Sequence, residues 1–284
     1  MSENNQNSAQ LLPWSFRHIE WLNDTEETLN TEDGKVVKIF ELNHNQDDII
    51  MSLWAKHFRN HYCRDCEIDD LRYGCGLTRC EYLKQIKFPD QRERPGPSVR
   101  AGDFGEILVA DYLEFRLNYT IPRTRYGNKV NKNESPKGVD VIGFKMQADN
   151  HSPTDELVTY EVKCALVGNS TTTLQRAIND SSKDFNLRKA ESLNAIKQRL
   201  RVSPQENVVV IEMVERFQNK ADRPYKEISG AGAVHATSTF RENVVTNANC
   251  AEHPNQDNIS LIVIRGDNLM RLANELYRRA ADEA

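Results

Sequence analysis

Two carboxylates sit where a β-strand ordinarily carries apolar side chains, and they restrict the fold of this chain more than any other feature. The first is Asp140, in Gly138-Val139-Asp140-Val141-Ile142; the second is Glu161, in Tyr160-Glu161-Val162-Lys163. Both surroundings are rich in β-branched and aromatic residues, so Val139 to Phe144 and Leu157 to Leu166 read as strands. A polar connection containing Pro153 makes them an antiparallel hairpin. Side chains alternate along a strand, which sets Tyr160, Val162, Cys164 and Leu166 on one face and Glu161, Lys163 and Ala165 on the other. Glu161 and Lys163 then stand roughly 6.5–7 Å apart along the strand.

An uncompensated buried carboxylate is strongly destabilising. Asp140 is flanked by apolar residues on both sides, so it needs a partner. A divalent cation is one such partner, because carboxylate oxygens and water are the ligands Mg²⁺ prefers. A third acid, Glu106, falls in a helical pattern from Gly102 to Leu117, and its neighbours at i+3, i+4 and i+7 are Val109, Ala110 and Leu113. Helix-end electrostatics offers a competing account, because Asp103 and Glu106 fall in or near the first turn of that helix.

The remaining pattern gives an α/β fold with a mixed sheet and helices on both sides. Val36 to Leu42 reads as a strand, Asp47 to His61 as a helix, and Thr78 as the cap of a short helix through Ile86. Phe88 to Ser98, with Pro89, Pro95 and Pro97, reads as a connection, which makes 1–95 a smaller N-terminal α+β module or a layer on the main domain. Residues 1–10 are polar and expected to be disordered. Residues 96–284 form the main domain. Within it, Ile121 to Tyr126 reads as an edge strand or strand start because of Pro122. Asp184 to Leu200 reads as a helix, Val208 to Val214 and Ile259 to Ile264 as strands, and Asp267 to Ala281 as a closing helix. Gly230-Ala231-Gly232-Ala233 reads as a turn or a helix start.

Charge is unevenly distributed. Residues 1–50 hold 3 Lys/Arg and 10 Asp/Glu, whereas residues 100–203 hold 16 and 13. The candidate catalytic region is thus the more basic part of a chain whose net charge is −5. Arg123, Arg125, Lys129 and Lys132 precede the first acidic strand and are candidate phosphate contacts, with solvated surface charge as the commoner explanation. No apolar run is long enough to span a membrane. The N-terminus lacks the basic and apolar regions of a signal peptide, so the expected location is the cytoplasm. Cys63, Cys66, Cys75 and Cys80, with His57 and His61 upstream, have ligand types that suit zinc. Only one CxxC pair is present, so free cysteines are the favoured reading and structural zinc the alternative.

The helix Glu, the strand Asp, an acid 21 positions later and a Lys two residues on resemble the PD-(D/E)XK nuclease superfamily, the restriction-endonuclease-like fold. That core is a helix, a three-stranded antiparallel meander, a helix and a further strand, and the resemblance covers roughly residues 100–215. The Pro usual before the first acid is absent; Val139 stands there. Gly96 to Glu106 also resembles bacterial phage-defence nucleases, including the nuclease subunit of Hachiman-type systems. The resemblance implies a metal-dependent phosphodiester hydrolase, most naturally acting on DNA. Asp140, Glu161, the Val162 carbonyl and Glu106 would hold Mg²⁺ or Mn²⁺, and Lys163 would orient water or stabilise charge. The chain has no GxxxxGK[ST] sequence, so any strand separation requires an ATPase or helicase partner. Two alternatives stand beside this reading: a non-catalytic nuclease-fold adaptor that binds DNA or a partner protein, and a zinc-containing binding module at residues 57–80.

Overall fold

The computed structural model describes residues 14–147, 151–168, 172–202 and 207–284. The start expected to be disordered, residues 1–10, lies outside them. A 3-10 helix, Trp14–Trp21, leads into β1 (Leu22–Asn30) and β2 (Val36–Leu42). Helices α1 (Asp48–Asn60), α2 (Ile68–Arg72) and α3 (Arg79–Tyr82) precede the long α4 (Gly96–Phe115). Then come β3 (Val141–Lys145), β4 (Glu156–Ala165), α5 (Thr173–Ser182), α6 (Phe185–Leu200), α7 (Val208–Gln218), β5 (Lys226–Ala236), α8 (Glu242–Thr246), β6 (Ile259–Gly266) and α9 (Leu269–Asp282).

The strands form one mixed sheet in the order β1-β2-β6-β5-β4-β3. An antiparallel pair lies at each edge, β1 with β2 and β3 with β4, and the central pairings are parallel. The α/β architecture with helices on both faces is thus the one the sequence pattern predicts. Alternation is clean in β6: Ile262 and Ile264 pack in the core with α4 and α9, whereas Leu261 and Val263 pack with Leu174, Ala177 and Ile178 of α5. Residues 22–42, read as part of an N-terminal module or layer, supply two strands of this same sheet through the β2–β6 pairing. Helix α1 packs on α9, with the rings of Phe58 and Tyr277 at 4.9 Å.

Local chemistry explains the helix starts. The Asp47 carboxylate accepts from the N–H groups of Ile49 and Ile50. Thr78 and Glu81 form a reciprocal capping box at α3. Three expectations need correction. Val208 to Val214 is helical: Ile211, Val214 and Phe217 are buried while Val208 and Val209 face outward, a helical stripe that overrides β-branched propensity. Gly230 to Ala233 lies inside β5, where small residues are needed because a Cβ on Gly230 would collide with the Tyr160 ring. Ile121 to Tyr126 is not a strand; only Thr120 makes an isolated antiparallel bridge, to Phe144. Among the described residues no helix is long and apolar enough to cross a membrane.

Candidate active site

Helix α4 crosses β4 closely because residue 105 is glycine: a Cβ there would run into the Cys164 sulfur. This contact brings Glu106 to the end of the β3–β4 hairpin. Glu106 is 5% exposed and more than two turns beyond Gly96, where α4 begins. The helix-end explanation therefore does not apply to it, since dipole effects fade within the first turn. Asp140 lies one residue before β3. Glu161 and Lys163 project to the face of β4 opposite α4, as alternation predicts, toward α5 and α6. The four residues line one cleft, with Asp140 at the strand end between the two faces.

Two arginines organise the acids. Arg125 donates from Nε to Glu106 Oε2 at 2.9 Å and from Nη2 to Asp140 Oδ1 at 2.6 Å. Arg188 of α6 donates to Glu161 Oε1 at 2.7 Å and to the Gly138 carbonyl at 2.6 Å. The Val162 N–H donates to Asp140 Oδ2 at 2.9 Å, and the Tyr126 hydroxyl to Glu106 Oε2 at 2.6 Å. Lys163 Nζ pairs with Asp180 Oδ2 of α5 at 2.7 Å. Burial, and then the Asp140 charge, push Glu106 up to about 8 against the pull of Arg125. The same two causes push Glu161 up to about 9 against Arg188 and Lys163. Burial opposes the charge on Lys163, but Asp180, Asp140 and Glu161 together raise its pKa, so it stays protonated.

These groups fit a hard divalent cation by donor type. The second oxygens of Glu106 and Glu161 accept no hydrogen bond among the described residues, and both carboxyls respond to surplus negative charge. Their ligand atoms do not all converge: among the described residues, the group of three whose ligand atoms lie within 4.8 Å of one another is His18, His57 and Asp111. Arg125, bridging Glu106 and Asp140, is the cation that a metal there would have to replace.

The basic residues expected to meet phosphate are each paired with carboxylates of this chain. Arg123 pairs with Asp111 at 2.7 Å and with Glu114. Lys129 pairs with buried Asp103, and Lys132 with Asp90 at 2.6 Å. Arg125 belongs to the acid cluster itself. Among the described residues no three ligand atoms that include these cysteines converge; Cys63 is buried, Cys66 and Cys75 are exposed, and Cys80 donates to Asp282 at 3.4 Å. The sequence reading missed Asp180 and the roles of Arg125, Arg188 and Tyr126. Asp180 carries no motif and lies in a helix left unassigned. Arg188 was legible only as one basic residue among several.

A search of curated proteins finds no match to this chain. The family model described as HamA matches residues 17–280, so both the N-terminal strands and the acid cleft fall inside it. The chain therefore belongs to the HamA family, a component of Hachiman anti-phage defence.

Proposed function

We propose that the chain is a metal-dependent nuclease of the PD-(D/E)XK type, hydrolysing phosphodiester bonds of DNA in anti-phage defence alongside an ATPase or helicase partner. The observation that carries this reading is the meeting of Glu106, Asp140, Glu161 and Lys163 in one cleft, lined by five carboxylates against four basic side chains. Glu106, Asp140, Glu161 and the Val162 carbonyl would hold Mg²⁺ or Mn²⁺, which supplies phosphate polarisation and a more acidic water. The Val162 N–H fixes the Asp140 carboxylate, and Arg188 fixes Glu161. Lys163, kept charged and steadied by Asp180, holds a positive charge two residues from Glu161, where it can stabilise charge developing on the phosphate. The order of α4, β3, β4, the following helices and a parallel strand β5 agrees with the superfamily core, except that its first strand is reduced to the Thr120 bridge.

Incubation with supercoiled plasmid in Mg²⁺, Mn²⁺ or EDTA tests the reading. Cleavage in Mg²⁺ or Mn²⁺ that disappears in EDTA and in Glu161→Ala is the expected result. One observation favours a second reading, a non-catalytic adaptor: Arg125 and Arg188 already neutralise the acids pairwise. Plasmid and single-stranded substrates left intact under every metal, with binding retained, would establish the adaptor instead.

A further inference from the structure

We propose that His18, His57 and Asp111 form a zinc site separate from the acid cleft, which ties the N-terminal segment to α4. Three elements distant in sequence converge there: His18 from the 3-10 helix, His57 from α1 and Asp111 from α4, with ligand atoms all within 4.8 Å of one another. His18 Nε2 lies 2.9 Å from Asp111 Oδ2, and His57 Nε2 lies 2.9 Å from Asp111 Oδ1. His61 Nε2 lies 3.3 Å from His57 Nε2. Bonds of the length zinc makes to nitrogen and oxygen place tetrahedral ligands about 3.3–3.4 Å apart, so the two 2.9 Å hydrogen bonds to Asp111 would open by a few tenths of an ångström around an ion.

Arg123 Nη1 donates to the His61 Nε2 lone pair at 2.9 Å, so His61 is satisfied by the arginine and stands beside the site. Without an ion, His18 and His57 each direct Nε2 at one oxygen of Asp111. A metal ion between them would take the imidazole lone pairs and a carboxylate oxygen in place of those two hydrogen bonds. Burial holds His18 below the ordinary imidazole range, and neutral imidazole is the ligating form. The walls are aromatic: Trp54 stacks on His18 at 4.5 Å, and Phe16 meets His57 edge-on at 5.3 Å. An imidazole-rich set in such a shell selects zinc over magnesium. Arg123, at φ 52°, is the resident cation that zinc would replace, being 2.7 Å from Asp111 Oδ1. Asp111 and Glu106 share α4, so a metal here would fix the rotation of the helix that presents Glu106.

The test uses the full chain purified without a histidine tag, stripped with a chelator and titrated with ZnCl₂ against a chromogenic indicator. One equivalent is expected to bind, with affinity falling about 100-fold or more in His57→Gln and unchanged in Glu161→Gln and Cys66→Ser. Co²⁺ added to the wild-type protein gives a reading that needs no variant. Intense visible bands of a four-coordinate nitrogen and oxygen site, without a thiolate charge-transfer band, are expected. No zinc bound in the titration, wild-type affinity in a folded His57→Gln, a thiolate band or a pale six-coordinate spectrum would each overturn the proposal.

Discussion

Glu106 and Asp111 lie on the same helix, both buried, yet their carboxyls are driven in opposite directions. Burial works against the charge of each. At Asp111 the His57 and Arg123 charges and the hydrogen bonds from His18 and His57 overcome it, holding the carboxyl well below its usual range. At Glu106 the Asp140 charge adds to burial, and Arg125 does not offset the two, so the carboxyl rises to about 8. The difference teaches that burial alone does not mark a cation site. One carboxylate is held charged by the histidines and Arg123 around it, so a cation there must displace a resident partner. The other is under-compensated beside a second acid in an open cleft, which is where an added cation gains most.

The largest expected effect breaks the comparison at its functional end. Glu161→Ala and Lys163→Ala should each reduce Mg²⁺-dependent plasmid cleavage by about 1,000-fold or more, with circular dichroism and melting temperature close to wild type. Wild-type cleavage by both variants would sink the site assignment. Next comes the structural end. Asp111→Ala leaves Arg123 buried beside Glu114 alone, and should lower unfolding free energy by about 3–5 kcal/mol in urea titrations. Glu106→Gln removes a carboxylate that is already under-compensated, and should change stability by no more than about 1 kcal/mol. Equal losses in the two variants would erase the distinction drawn between them.

Acidity sharpens the contrast, with opposite signs. The folded values of Glu106 and Glu161 lie above the ordinary 4.5, so the folded chain binds more protons between that value and about 8 or 9. Their contribution is fully present below about pH 4.5 and is lost as pH rises through 8 to 9. In EDTA, melting temperature should therefore fall across this window, and millimolar Mg²⁺ should flatten the decline. Asp111 has a depressed folded value, so its contribution is present above the ordinary 3.8 and is lost as pH falls below it. His18 and His61, also depressed, begin to withdraw stability as pH falls below the ordinary 6.5. A melting profile that rises steadily from pH 5 to 9 in EDTA would contradict the reading of the acid cleft. The smallest effect is expected at Asp180→Asn, which loosens Lys163 without removing it: a decrease on the order of ten-fold in cleavage rate, with substrate affinity retained.

Local pattern made much of the hairpin legible. Alternation along β4 placed Glu161 and Lys163 on one face and Val162 and Cys164 on the other, because a strand's period of two needs no knowledge of its neighbours. The cap at Thr78 was readable for the same reason, since it bonds a backbone group three residues on. Where the reading failed, a tertiary contact decided. The buried stripe of α7, Ile211, Val214 and Phe217, is set by the packing of Phe217 against Phe144, with ring centroids at 5.2 Å, and leaves Val208 and Val209 outside. Gly230 is needed in β5 because the Tyr160 ring lies across it from the neighbouring strand, a contact the local sequence does not announce.

The sequence by itself determined which residues are able to bear the chemistry: three carboxylates and a lysine in fixed order, in elements whose periodicity presents them. Only the tertiary structure decided which charges meet. Arg125 turns to Glu106 and Asp140, Arg123 and Lys129 turn to interior acids, His57 turns to Asp111, and His61 turns to His57 and Arg123 instead of to the nearby cysteines. The reason is physical. Strand and helix periods act over a few bonds, whereas an ion pair depends on distance and burial between segments that the chain brings together only when the sheet closes and α4 lies across it.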